Sequence, residues 1–238
     1  METAASATKL CKELGVEIDP ELLVLSLTHR SFAYEAGGIP TNERLEFLGD
    51  SVVGVIVTEE LYRRHEGLPE GQLARMRAAI VSQMGLARLA RKLELGTYVL
   101  LGKGESRDGG AEKDSILSDT FEALIGAAYL CNDFDTIRGA LLELMKDELD
   151  NAVRLGAALD WKSSLQELVA AQGRSTVSYR IESEGPDHAR FFTAVAVIDE
   201  IEYGTGTGES KKLAEHRAAE KAYEALSGET IPGSQPPN

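Results

Sequence analysis

Asn42–Ser51 reads NERLEFLGDS, and three of its ten residues are acids: Glu43, Glu46 and Asp50. Spacings of three, four and seven put all three carboxylates along one face of a helix. Asn42 belongs to the residue types that cap a helix start. Beyond Ser51 the apolar stretch Val52–Val57 implies a helix buried on most sides, running to His65 before Gly67 and Pro69 close it.

A second acidic pair stands in SILSDTFEALIGAAYL, which begins at Ser115. Asp119 and Glu122 are three residues apart and interrupt an otherwise apolar helix. Acids are rarely buried without a partner. Packing this helix against the first would gather four or five carboxylates that only cations could neutralise. Oxygen-only ligands suit magnesium or manganese. Such ions can ionise a water and stabilise charge on a phosphodiester during in-line displacement. Solvated helix faces, with pairs such as Glu43 beside Arg44, are the other reading of the same spacings. The setting argues against it, because Glu46 and Asp50 flank Phe47, Leu48 and Gly49, while Asp119 and Glu122 flank Phe121. A di-iron centre needs Glu-x-x-His pairs, and His29, His65, His188 and His216 do not supply them. No Ser or Cys nucleophile motif is present.

Outward from these segments, residues 1–150 read as helix after helix. Pro20 opens one over Glu21–Phe32, a third spans about Glu70–Leu93, and another covers about Phe134–Val153. Leu101–Asp114, rich in Gly and charge, reads as a loop. After Leu155 the pattern changes. Gly156, Ala157 and Ala158 form a small-residue join, and a helix over Trp161–Gln172 stops at Gly173. Strands follow at Val177–Ser183, Arg190–Ile198 and Glu200–Gly206, with EGPDH as the first turn. A helix over Lys211–Leu226 precedes a Gly/Pro/Ser tail that is expected to be disordered. The expected fold is multidomain: an all-α domain (1–155), a linker (156–159), a small α+β domain of order α-β-β-β-α (160–227) and a tail (228–238).

Composition is that of a soluble globular protein, with 43% hydrophobic and 27% charged residues. No run of about 18 apolar residues could span a membrane. METAASATKLCKEL has no apolar run behind a basic cluster, so no signal peptide is expected and the cytoplasm is the expected location. Cys11 and Cys131 lack metal-ligand spacing and read as reduced, buried thiols. The net charge of −14 runs against nucleic-acid binding, and residues 160–227 hold eight Lys/Arg against twelve Asp/Glu. A carboxylate-rich chain is also what a metal-dependent nuclease requires, since the cations supply the missing positive potential.

NERLEFLGDS resembles the signature of the ribonuclease III family, and SDTFEALIGAAYL resembles that family's second acidic segment. THRSF (Thr28–Phe32), PEGQLARMRAAIVS (Pro69–Ser82) and LGKGE (Leu101–Glu105) fit its order and spacing. DWKSSLQELV (Asp160–Val169) and GTGTGESKKLAEHRAA (Gly204–Ala219) resemble the two ends of a double-stranded RNA-binding domain. The resemblance implies a helical endonuclease domain that forms a homodimer. Two centres would each cut one strand of double-stranded RNA, leaving a 5′-phosphate, a 3′-hydroxyl and a short 3′ overhang. It implies magnesium, with manganese as a substitute, and work on ribosomal RNA precursors and messenger RNA. By motif, Glu46, Asp50, Asp119 and Glu122 are the metal ligands, Asp50 and Glu122 being catalytic, and Glu43 and Glu70 are auxiliary acids. His29 reads as structural, and Phe47 and Leu48 as core or dimer contacts. Gln166, Glu167, His188, Lys211 and Lys212 match the RNA contacts. Glycines before the last helix would let backbone N–H groups approach a phosphate. A double-stranded RNA-binding regulator that does not cut is the competing function, and the acidic charge predicts salt-sensitive binding that leans on metal and on two linked domains.

Overall fold

A computed structural model describes residues 9–185 and 190–228. The chain divides into two compact units, Met1–Gly156 and Ala157–Asn238. The first is helical: α1 (residues 9–14), α2 (Pro20–Ser26), α3 (Arg30–Glu35), α4 (Glu43–Arg64), α5 (Glu70–Ile80), α6 (Gln83–Lys92), α7 (Lys103–Arg107), α8 (Asp114–Cys131), α9 (Phe134–Leu144), α10 (Lys146–Asp150) and α11 (Ala152–Leu159). The last of these runs past the boundary between the units.

At the centre α4 packs along α8. The 22 residues of α4 make a rod about 33 Å long. From it Val52, Val53, Ile56, Val57 and Leu61 enter the core; from α8 come Leu117, Phe121, Leu124, Ile125 and Ala128. Phe121 and Ile56 are completely buried, and truncating such a side chain to alanine costs about 2–5 kcal/mol.

Tertiary contacts cut several expected helices into shorter ones. The run Glu21–Phe32 breaks at Leu27–His29, because Thr28 forms an isolated parallel bridge with Leu100. There the Leu100 N–H donates to Leu27 (2.8 Å) and the His29 N–H donates to Leu100 (3.2 Å). Caps reset the chain on either side: the Asp19 carboxylate accepts from the amides of Glu21 and Leu22, and His29 Nδ1 accepts from the Ser31 amide. The run Glu70–Leu93 splits at Val81–Ser82, where Ser82 Oγ caps α6 by accepting from the Gly85 amide. Phe134–Val153 divides into α9, α10 and the start of α11. Leu101–Asp114 holds the short helix α7 and a 3-10 turn at Gly110–Glu112, and the Gly156–Ala158 join is helical. Asn42 precedes α4 but its side chain does not cap it; buried, its amide donates to the Ser26 carbonyl at 3.3 Å. Both cysteines are free, and Cys131 is exposed rather than buried.

In the second unit α12 (Trp161–Ala171) leads into β1 (Ser178–Glu184), β2 (Phe191–Ile198), β3 (Ile201–Gly208) and α13 (Lys211–Ser227). The sheet is antiparallel, in the order β1-β2-β3. Its core joins Trp161, Leu165 and Val169 of α12 to Ala194, Ala196 and Ile198 of β2 and to Ala214, Ala218, Ala219 and Ala222 of α13. The small residues on α13 have counterparts on β3. A Cβ at Gly204 would overlap the backbone of Ala218 and Ala222, and one at Gly206 the backbone of Ala214 and Ala218. These glycines therefore lie inside the strand and seat the helix; they do not form a phosphate-approach loop ahead of it. The expected contact His188 and the tail from 229 onward lie outside the described residues.

Candidate active site

Glu46 and Asp50 lie one helical turn apart on α4, Asp119 and Glu122 on α8, and two glycines let the helix backbones touch. A Cβ at Gly49 would overlap the carbonyl of Glu122, and one at Gly126 would overlap the carbonyl of Leu45. With the backbones this close, carboxylate oxygens of Glu46, Asp119 and Glu122 come within 4.8 Å of one another. The two acidic faces thus converge, and the reading of them as separate solvated faces is set aside.

The electrostatics follow from that crowding. Burial, then the charges of Asp50, Glu46 and Asp119, push the half-buried Glu122 carboxyl up to about 8. Glu46 is raised by burial first, then by Asp119, Glu43 and Asp50. Asp50 stands outside the tightest trio, yet its charge is the strongest of the three felt at Glu122. Ser118 Oγ donates to Asp119 Oδ1 at 3.1 Å and helps orient it. Clustered hard oxygens with a raised carboxyl are what a divalent cation ionises and binds.

Glu43 and Glu70 differ in placement. Glu43 accepts from Thr41 Oγ1 (2.9 Å) and lines a cavity of about 550 Å³ together with Glu46 and Asp119. His29, Arg30, Asn42, Glu105 and Lys113 complete most of its wall. Glu70 is exposed in the first turn of α5 and stands outside the acidic trio. His29 serves structurally as the α3 cap, its pKa lowered chiefly by burial. Asp50, Ser51, Gly54 and Thr58 border a second, smaller hollow with Val55, Arg77 and Val81. Sequence reasoning missed the packing roles of Gly49 and Gly126. A glycine inside a strong helical pattern is the available signal for both.

In the second unit Lys211 and Lys212 are exposed in the first turn of α13, which Ser210 caps by accepting from the Leu213 amide. Gln166 is exposed on α12, and its side-chain Oε1 accepts from the Val177 amide at 3.3 Å. Glu167 is half-buried on the same helix.

Residues 19–149 match the family described as Ribonuclease-III-like, and residues 161–226 match the double-stranded RNA binding motif. The chain belongs to the ribonuclease III family. It is 54% identical to Ribonuclease 3 of Mycolicibacterium paratuberculosis over 93% of this chain and 95% of that one. Against Ribonuclease 3 of Streptomyces coelicolor it is 52% identical, over 94% of this chain and 81% of that one. The crystal structure of the ribonuclease III nuclease domain from Campylobacter jejuni superposes with a TM-score of 0.55 at 40% identity, covering 59% of this chain and 93% of that one. Family membership makes the protein an endoribonuclease of double-stranded RNA, with a helical nuclease unit and a small RNA-binding unit. Among the described residues no helix is long and apolar enough to cross a membrane.

Proposed function

We propose that Glu46, Asp50, Asp119 and Glu122 hold magnesium, with manganese as a substitute, and that RNA is cut where they meet. The observation that carries this is the convergence of three carboxylates within 4.8 Å beside a fourth acid whose charge bears on Glu122. When bound there, a divalent ion would supply an ionised water and offset charge on the scissile phosphate. The residues do the rest. Asp50 and Glu122, the catalytic pair, present their carboxylates from two helices locked by glycine contacts, so the site is held rigid before substrate arrives. Glu122, whose carboxyl is raised by burial and its acidic neighbours, would release its proton on ligating a cation. Glu43 is an auxiliary acid on the wall of the adjoining cavity, and Glu70 is a second one, carried on α5.

Two copies of the nuclease domain (residues 1–155) form a homodimer in this reading. Support comes from an apolar stripe on the solvent side of α4, where Phe47, Val55 and Tyr62 are 79%, 53% and 70% exposed. A second Campylobacter jejuni structure concerns a region involved in dimer formation of its nuclease domain. Each centre cuts one strand, giving 5′-phosphate and 3′-hydroxyl ends with a short 3′ overhang. The RNA-binding domain (160–227) follows the 156–159 linker and contacts RNA through Gln166, Glu167, His188, Lys211 and Lys212. Ribosomal RNA precursors and messenger RNA in the cytoplasm are the proposed substrates. Cleavage of a labelled, fully paired RNA hairpin tests the reading. Magnesium should support cutting, and calcium or a chelator should not. Glu122→Ala should abolish cutting while RNA is still bound; normal cutting by that variant would overturn the site.

A further inference from the structure

We propose that Arg30 binds an RNA phosphate next to the scissile one, a contact made inside the cleavage centre and not by the RNA-binding domain. The inference rests on the reading above, that the acids mark the point of cleavage.

It starts from a shortage of positive charge. Glu43, Glu46, Glu105 and Asp119 all border the cavity beside the catalytic acids. A cation neutralises the metal ligands, but the flanking phosphates of the strand also have to be brought close to this wall. Three basic side chains line the cavity: His29, Arg30 and Lys113. Lys113 is engaged, its Nζ lying 2.5 Å from Glu105 Oε1. His29 is occupied as well. Its Nδ1 faces Ser31 Oγ at 2.8 Å and the Ser31 amide, and burial lowers the ring's pKa.

Arg30 is the exception. It is exposed, and among the described residues it forms no ion pair or side-chain hydrogen bond, although carboxylates line the same cavity. An arginine kept for stability would close onto one of those acids. Its charge is nonetheless felt in the cavity, where it lowers the pKa of both His29 and Glu105. Its backbone is also anchored. α3 is pinned to α7 where Ser31 Oγ accepts from the Gly102 amide (2.9 Å) and the Glu35 carboxylate accepts from the Lys103 amide (2.8 Å). A fixed base and an unengaged planar fork of donors suit a phosphate, which guanidinium binds in bidentate fashion.

The test combines cleavage kinetics with binding across a salt series, using the full chain and a labelled RNA hairpin in magnesium. Binding is read in a Glu122→Gln background so that the RNA stays intact. Arg30→Gln should raise KM about tenfold with kcat changed less than twofold, and should make the slope of log affinity against log salt shallower by about one. Arg30→Lys should recover the salt slope and only part of the KM, because a point charge replaces the fork. Lys146→Gln, an exposed charge on α10, controls for simple loss of a cation. Unchanged KM and slope in Arg30→Gln, or equal effects in the Lys146 control, would overturn the assignment, as would a fall in kcat alone. If Glu122→Gln itself still cuts, the underlying site reading fails instead, and the two failures are told apart.

Discussion

Gly49 lies against the carbonyl of Glu122 with no room for a side chain between them. Two helices that each carry half of the acidic centre are thereby held at backbone contact. Gly49→Ala should cost about 1–3 kcal/mol by overpacking and reduce cleavage by more than tenfold, since forcing α4 away from α8 spreads the carboxylates. Gly139→Ala in α9, where an added Cβ meets nothing within 4 Å, should instead gain about 0.5–1 kcal/mol. Denaturant unfolding and hairpin cleavage on both variants check the contrast, and a harmless Gly49→Ala would remove the close-approach account.

The carboxyl of Glu122 ties stability to pH. Its folded pKa, about 8, lies above its ordinary value of 4.5. A group raised in this way stabilises the fold while protonated. That contribution is complete below about 4.5 and is lost as pH climbs through about 8. In chelator, the Tm should therefore fall between pH 5 and 9. Glu122→Gln, which cannot ionise, should flatten the fall. Magnesium binding should release protons near neutral pH and tighten up to about pH 8. Calorimetry in buffers of different ionisation enthalpy measures that release, and its absence would mean that Glu122 is already ionised without metal.

What could be read in the sequence, and what could not, divides along the range of the interactions. Glu43, Glu46, Asp50, Asp119 and Glu122 were legible because helical periodicity fixes which side chains share a face. The break at Thr28 was not, since it depends on a bridge to Leu100, 72 residues along the chain. Nor was the backbone contact between Gly49 and Glu122, which local pattern does not encode. Gly204 and Gly206 misled for a related reason. A glycine that admits a ligand and one that admits a packed helix look alike until the partner is seen, and here the partner is α13.

Asn42 offers a sharper case of the same kind. If it acted as a helix cap, Asp would replace it without loss. Its buried amide instead donates to the Ser26 carbonyl, tying the start of α4 to the end of α2. Asn42→Ala should cost about 1–3 kcal/mol by leaving that carbonyl unpaired, and Asn42→Asp at least as much, because an ionised carboxylate has no proton to give. Urea melts of the two variants decide between cap and tether; a stable Asn42→Asp would favour the cap.

The turn between β2 and β3 is built against residue preference. Ile198 pairs with Ile201, and the two residues between them, Asp199 and Glu200, have φ of 51° and 65°. That is the backbone of a type I′ hairpin turn, which favours Gly at its second position. Asp199 has a compensating role, for its carboxylate accepts from the Ser175 amide (3.1 Å) and its own amide donates to Ser175 Oγ (3.2 Å). Glu200 has no such bond among the described residues. Glu200→Gly should raise stability by about 0.5–1 kcal/mol with RNA binding unchanged, as thermal unfolding and a binding titration would show. A lower Tm would mean that the entropy glycine adds to the unfolded chain outweighs the relieved strain.

The RNA-binding unit separates packing from recognition within one short segment, Gly204 to Lys212. Gly206→Ala should destabilise the domain, because the new Cβ meets the backbone of Ala214 and Ala218. Lys211→Gln combined with Lys212→Gln should leave the Tm unchanged, since both side chains are exposed. The same pair should make the salt dependence of RNA binding shallower by about two, one for each phosphate contact given up. With twelve acids against eight bases over residues 160–227, few other cations are at hand to take over. Binding measured from low to physiological salt, on protein shown to be folded by calorimetry, tests both halves. If the double lysine variant keeps the wild-type slope, the first turn of α13 does not hold RNA, and the search moves to the exposed face of α12 that carries Gln166.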